Sequence, residues 1–183
     1  ITNTVNSLPT PTLISSDADN TFCTGTSVTF TAGGGTSYNF RVGGTIVQSG
    51  ASTTYTTSSL TNGQVVDVIV TNANGCIATS SGMTNTVRSL PSPTLISSDA
   101  DNTFCTGTSV TFTAGGGTSY NFRVSSSSVQ SGALTTYTTS TLTTGQTVDV
   151  IVTNANGCIA TSSAITNTVN PLPTPTLTSS DAD

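Results

Sequence analysis

Two kinds of residue in this sequence could do chemistry by their type and spacing: four cysteines and a recurring acidic motif. Cys23, Cys76, Cys105 and Cys158 form two sets with the same internal spacing. No C-x-x-C or similarly close thiol spacing occurs, so a thiolate metal cluster is not expected. The acidic motif is Asp17-Ala18-Asp19-Asn20, which returns as Asp99-Ala100-Asp101-Asn102 and again as Asp181-Ala182-Asp183. Calcium takes several hard oxygen ligands, and a D-x-D-N stretch beside a linker could contribute two or three of them. Asp17, Asp19, Asn20, Asp99, Asp101 and Asn102 are therefore a candidate calcium set. The other reading is turn chemistry, in which these side chains hydrogen-bond nearby backbone. The chain has no glutamate, so any calcium site would be irregular. No other cofactor is expected.

The composition removes most other chemistry. Among 183 residues there is no His, no Glu and no Lys, hence no conventional general base near neutral pH and no Schiff-base amine. The chain is not expected to be an enzyme. Three Arg against eight Asp leave a net charge of −5, the wrong balance for neutralising phosphates, so nucleic acid is not an expected partner. Apolar runs are only a few residues long, so no membrane insertion is expected, and no signal peptide opens the chain. Gly33-Gly34-Gly35 and Gly115-Gly116-Gly117 lack a following Lys and a helical pattern, so they read as turns, not phosphate loops. What the composition favours is 42 Thr and 27 Ser with only 6% charged residues. Helix-forming types are scarce, which predicts an all-β protein with hydroxyl-covered sheet faces.

Sliding the sequence along itself until Ile1 falls on Met83 superimposes it on itself. Residues 1–82 match 83–164 at 70 positions without a gap, and 165–183 begins a third copy. Such a period predicts a piece of a longer array, whose function depends on length, spacing or multivalency. The expected organisation is the end of one repeat and a linker over 1–9, a repeat over 10–88, a second over 89–170, and the first strand of another over 171–183.

The elements that position the candidate residues follow from period-two alternation. Pro9 and Pro11 favour extended chain and mark the linker. Strands are predicted over 12–15, then through Val28, Phe30 and Ala32, whose alternation with Thr29 and Thr31 makes a half-buried strand. Tyr38, Phe40 and Val42 alternate with Asn39 and Arg41 in the next. Strands over 45–48, 53–57 and 65–71 follow, and the Asn74-Gly75 turn leads into a last strand over 77–87. Seven short strands in about 80 residues point to an immunoglobulin-like sandwich. On this parity Tyr38 and Tyr120 belong to the core, whereas Arg41 and Arg123 face outward as solvated single charges. The alternating threonines read as outer strand faces rather than an ice-binding array.

The phrases Cys23-Thr-Gly-Thr-Ser-Val-Thr-Phe-Thr-Ala32 and Val70-Thr-Asn-Ala-Asn-Gly-Cys76 resemble the PKD-like and Ig-like repeats of giant Bacteroidota cell-surface proteins. These include gliding and attachment adhesins exported by the type IX system. The aromatic-acidic-glycine motif of the classical PKD domain is missing; Tyr38-Asn39-Phe40-Arg41-Val42 stands in that region. The resemblance implies an extracellular, cell-surface stalk or adhesive fibre built of tandem sandwich repeats in an extended rod. It implies neighbouring repeats as partners, with lateral self-association and surface glycans as further candidates. The rival reading is a carbohydrate-binding module of a secreted polysaccharide-degrading enzyme.

For an exported protein, one cysteine pair per period implies disulfides. Two connectivities stay open. Pairing within a repeat, Cys23–Cys76 and Cys105–Cys158, would close a loop of about 50 residues, worth roughly 4 kcal/mol on a chain-entropy estimate. Strand parity argues the other way: it puts Cys23 and Cys76 at opposite poles, about 20 Å apart, whereas a disulfide spans about 4.4–6.8 Å between Cα atoms. In a head-to-tail array, Cys23 would then face Cys158 of the next repeat.

Overall fold

The computed structural model describes residues 2–179, and every regular element among them is a strand. The chain divides into two compact units, Ile1–Ser89 and Leu90–Asp183. The first contains β1 (Thr12–Ser15), β2 (Thr21–Cys23), β3 (Val28–Gly33), β4 (Ser37–Val42), β5 (Thr45–Gly50), β6 (Thr54–Thr57), β7 (Val65–Thr71), β8 (Ile77–Thr79), β9 (Met83–Thr84) and β10 (Thr86–Arg88). The second repeats them one period on: β11 (Thr94–Ser97), β12 (Thr103–Cys105), β13 (Val110–Gly115), β14 (Ser119–Val124), β15 (Ser127–Gly132), β16 (Thr136–Thr139), β17 (Thr147–Thr153), β18 (Ile159–Thr161), β19 (Ile165–Thr166) and β20 (Thr168–Asn170).

In the first unit β1-β3-β6 form one antiparallel sheet, and β5-β4-β7-β8 form the other, with β9 also on β7. A parallel pair, β2 with β10, adds a third small ladder. Each unit is an immunoglobulin-like β-sandwich. Its interior is the alternation read along the strands: Val28, Phe30 and Ala32 from β3, Tyr38 and Phe40 from β4, and Val66, Val68 and Val70 from β7 are all buried. Fully burying a Val or Phe side chain is worth roughly 1.5–3 kcal/mol, so this set dominates the stability of the unit. Tyr55 lies over Phe40 with ring centroids 5.7 Å apart, and the Tyr38 hydroxyl donates to the Gly35 carbonyl at 2.6 Å, which removes the cost of burying it. The second unit holds the equivalent core around Phe112, Phe122 and Val150.

Gly34 explains why the glycine triplet turns here. Its φ is +95°, and a Cβ on it would collide with the Thr10 carbonyl of the incoming linker. The same holds for Gly116 against Ser92.

Two local expectations need correction. The first concerns 77–87, which is three short strands and not one. The Ser80 hydroxyl accepts the Val68 N–H at 3.1 Å, a side chain replacing a ladder carbonyl, and this ends β8. Asn85, fully buried, then donates to the carbonyls of Gln64 and Met83 at 3.0 Å each and separates β9 from β10. The second is β2, which the sequence pattern does not announce: three residues held by parallel pairing of Thr21, Phe22 and Cys23 with Thr86, Val87 and Arg88. No strand is formed over residues 171–179; the remainder of the strand expected over 171–183 lies outside the described residues.

Candidate functional site

The candidate residues gather at the two ends of each sandwich. At one end of the first unit, the acidic motif makes the bend between β1 and β2. Asp17 N–H donates to the Ser15 hydroxyl at 3.1 Å, and the Oδ1 atoms of Asp17 and Asp19 both accept the Thr21 N–H, at 2.8 and 3.0 Å. Asn20 sits at φ +53°, a conformation that asparagine tolerates better than most residues. In the second unit, Asp99 and Asp101 receive Thr103 N–H at 2.9 and 3.1 Å, and Asn102 has φ +57°. One oxygen of each carboxylate is thus engaged in local turn chemistry. Among the described residues, no group of three or more His, Cys, Asp or Glu side chains could hold a metal ion. The third acidic stretch, Asp181 and Asp183, lies outside the described residues.

Cys23 closes β2 at the same end. Its carbonyl accepts Thr26 N–H at 3.0 Å, and Thr24 N–H reaches Arg88 O at 2.9 Å, where the chain leaves the unit. Cys76 lies at the other end, in the turn from β7 to β8. Asn72 builds that turn: its Oδ1 accepts the N–H groups of Asn74 and Cys76 at 3.0 Å each, and its own N–H reaches the Cys76 carbonyl at 3.0 Å. The incoming linker passes alongside, with Asn72 Nδ2 donating to Ser7 O at 2.9 Å and Cys76 Sγ 3.9 Å from Asn6 O. The six residues of β3 run between the two ends, from the turn after Cys23 to the glycine triplet, where Thr36 N–H bonds Thr71 O at 2.8 Å. Six extended residues span about 20 Å, well past the reach of a disulfide.

That separation excludes a bond between the two cysteines of one unit. Cys23 and Cys158 are disulfide-bonded, whereas Cys76, half-buried, and Cys105, exposed, are free thiols. Neither within-unit pair, Cys23–Cys76 or Cys105–Cys158, is formed. In the second unit, Cys105 closes β12 beside Asn170, and Cys158 is buried in its turn with its N–H on Asn154 Oδ1 at 3.0 Å. The Asn-x-Asn-Gly-Cys spacing was present in the sequence, but the role of Asn72 and Asn154 as the residues shaping the cysteine turn comes from the structure.

The arginines are not solvated single charges. Arg41 faces Asp67 across β4 and β7, with Nε to Oδ1 at 2.7 Å and Nη2 to Oδ2 at 2.6 Å, and Arg123 holds Asp149 in the same two-pronged way. The hydrogen bond to Asp67 raises the guanidinium above its ordinary value; partial burial opposes it, and the attraction of the two charges adds to it. The tyrosines are committed to packing: Tyr38 and Tyr120 are buried, and Tyr55 and Tyr137 lie against Phe40 and Phe122. No helix among the described residues is long and apolar enough to cross a membrane. The disulfide is compatible with an oxidising, extracellular setting.

No protein-family model and no curated protein sequence matches the chain. Among solved structures, the fibronectin(III)-like modules of CbhA from Clostridium thermocellum are 15% identical, with a TM-score of 0.46 over 88% of this chain and 95% of that one. The amphioxus IgVJ-C2 molecule is 12% identical, with a TM-score of 0.35 over 81% of this chain and 99% of the other. What the chain's own topology establishes is a generic β-sandwich module of immunoglobulin-like type, present twice.

Proposed function

We propose that the chain is a structural and adhesive spacer: tandem modules of a long extracellular fibre or stalk on a bacterial cell surface, without catalytic activity, that carries or itself provides adhesion or supports gliding. The observation that carries this reading is the path of the chain through each unit. In the first, the linker comes in beside the Cys76 turn and the chain leaves beside Cys23, at the opposite end. A module whose two connections lie at opposite ends lengthens a chain each time it is added. The Thr- and Ser-covered faces fit the same role. Thr29 and Thr56 bond each other through their hydroxyls at 2.7 Å on the outer face of β3 and β6, and uncharged faces of this kind cost little to bring together laterally. Surface glycans are the partner class proposed for adhesion, and export through the type IX route is the proposed origin, on the sequence resemblance.

The test is small-angle scattering from chains carrying two and four of the repeated units. Each added unit is expected to lengthen the maximum dimension by roughly 40 Å, the length of its strands plus its proline linker. A maximum dimension that grows only as the cube root of mass would overturn the stalk reading.

A further inference from the structure

In the first unit the two larger sheets end at β1 and β6, and at β5 and β8 with β9. Most of these edges are interrupted. β5 carries a register shift opposite Phe40 and Arg41, Gln48 Nε2 covers the Thr54 carbonyl of β6 at 2.8 Å, and β8 gives way at Ser80. β1 has no bulge, charge or proline across Thr12–Ser15, devices that blunt an edge. Its hydrogen bonds fix which way its backbone points. Ser16 N–H donates to Thr29 O at 2.8 Å, whereas Ala32 N–H turns away from β1, to Thr53 O at 2.7 Å. Bonded and non-bonded pairs alternate in an antiparallel ladder, so Thr12, Ile14 and Ser16 bond β3, while the N–H and C=O groups of Leu13 and Ser15 point out from the sheet. An open groove lined by Leu13, Ile14, Ser80 and Met83 runs beside them, and Ile14 is 66% exposed. β11 repeats the same four residues with the same register on β13 and with Ile96 67% exposed, so the edge is a property of the unit.

We propose that this edge is a lateral docking strand, and that its occupant is the same edge of a second copy of this chain, paired antiparallel about a two-fold axis at Ile14. The backbone selects the register. Pro11 has no N–H to offer, and Asp17 N–H is already given to the Ser15 hydroxyl at 3.1 Å, so only Leu13 and Ser15 present both an outward donor and an outward acceptor. The register that uses both sets Leu13 against Ser15 of the second copy and Ser15 against its Leu13, each pair exchanging N–H and C=O bonds. A slip of one pleat either way brings Pro11 or Asp17 into a bonded pair and loses one of the two. The same register places Ile14 opposite Ile14 of the second copy as a non-bonded pair, about 4.5 Å apart at Cα, where two exposed apolar side chains cover each other. Charge selects the direction. Antiparallel pairing sets Asp17 opposite Pro11 of the second copy, whereas parallel pairing in register would set Asp17 beside Asp17, and like charges side by side are destabilising. The contact is isologous and closes on itself, and each unit carries one such edge. The inference rests on the fibre reading for its purpose. Its test measures association and not length, so either idea can fail without the other.

The whole two-unit protein, with its free thiols capped, is followed by sedimentation velocity over a rising concentration series. The wild type is expected to associate reversibly as concentration rises, and its amide hydrogen exchange is expected to slow at Leu13, Ser15, Leu95 and Ser97. Ile14→Lys with Ile96→Lys, and separately Ile14→Glu with Ile96→Glu, are expected to lose association, since each sets like charges against each other at the centre of the pairing. An equal mixture of the two variants is expected to regain it, because opposite charges then face each other. The mixture also serves as the folding control, because both variants must present an intact edge to pair. A wild type that stays monomeric up to about 1 mM would overturn the proposal. So would lysine variants that associate as the wild type does, or a mixture that remains monomeric.

Discussion

The β4–β5 turn of the first unit and the β14–β15 turn of the second are built from different residues and have nearly the same backbone. The first uses Gly43 and Gly44, at φ +58° and +82°; the second uses Ser125 and Ser126, at φ +48° and +69°. Two successive positive φ values match the right-handed twist of the strands on either side, so the hairpin dictates the turn and the residues comply. Glycine does so freely, whereas serine in this region is opposed by its Cβ at roughly 1–2 kcal/mol per residue. The edge that follows has also changed: exposed Ile46 is replaced by Ser128, whose hydroxyl donates to Asn121 Oδ1 at 2.6 Å. Contrast this with β3 and β13, identical in sequence and burial. Variation has been accepted where side chains meet water and is absent among the buried residues of the two cores.

The strongest way to test that contrast is in the core. Phe40→Ala should cost the first unit about 3–5 kcal/mol, and Phe122→Ala should cost the second as much. Calorimetry should show one transition falling while the other is retained, because each phenylalanine belongs to its own unit's core. A single transition that falls equally for both variants would show that the units melt as one. A smaller effect is expected at the hairpins. S125N/S126G should raise the stability of the second unit by about 1 kcal/mol, since Asn-Gly suits a turn with two positive φ values. G43S/G44S should lower the first unit by a similar amount. If both changes are neutral to denaturant unfolding, the serines carry no strain and the comparison loses its point.

Next in size are the ion pairs, which the two units share. A double-mutant cycle on Arg41 and Asp67 should return about 0.2–1 kcal/mol, the range for opposite charges facing across a ladder, and the cycle on Arg123 and Asp149 should agree with it. The folded-state value of each arginine is raised, so its contribution is complete below the unfolded arginine's own value and is lost only as pH climbs through the folded one. On the arginine side, the coupling should therefore be flat from about pH 6 to 9, near the neutral range where guanidinium stays charged. The smallest expected effect is that of calcium. Asp17, Asp19, Asp99 and Asp101 already use an oxygen each on the amides of Thr21 and Thr103, so adding calcium or a chelator should leave both melting temperatures unchanged. A chelator-sensitive melt that Asp99→Ala with Asp101→Ala abolishes would instead support the calcium reading.

Much of this molecule was legible in its residues taken one after another. The strand class, the inward parity of Val28, Phe30, Tyr38 and Phe40, and the turn at the glycine triplet all rest on local rules: side chains alternate along a strand, and a Cβ bars certain φ values. Repetition of the pattern meant that the two units share their strand order and their core. The rest depends on register between distant segments. Arg41 and Asp67, 26 positions apart, meet only because β4 and β7 align them, and outward parity alone made the arginine look solitary. β2 exists because β10 lies beside it; three residues have too little periodicity to announce a strand. The cysteines show the division most clearly. Their number and spacing made disulfides worth expecting, but a bond of a few ångströms is decided by where the two ends of a sandwich fall. Only the folded chain separates Cys23 from Cys76 by the length of β3 and so keeps the two cysteines of one repeat apart.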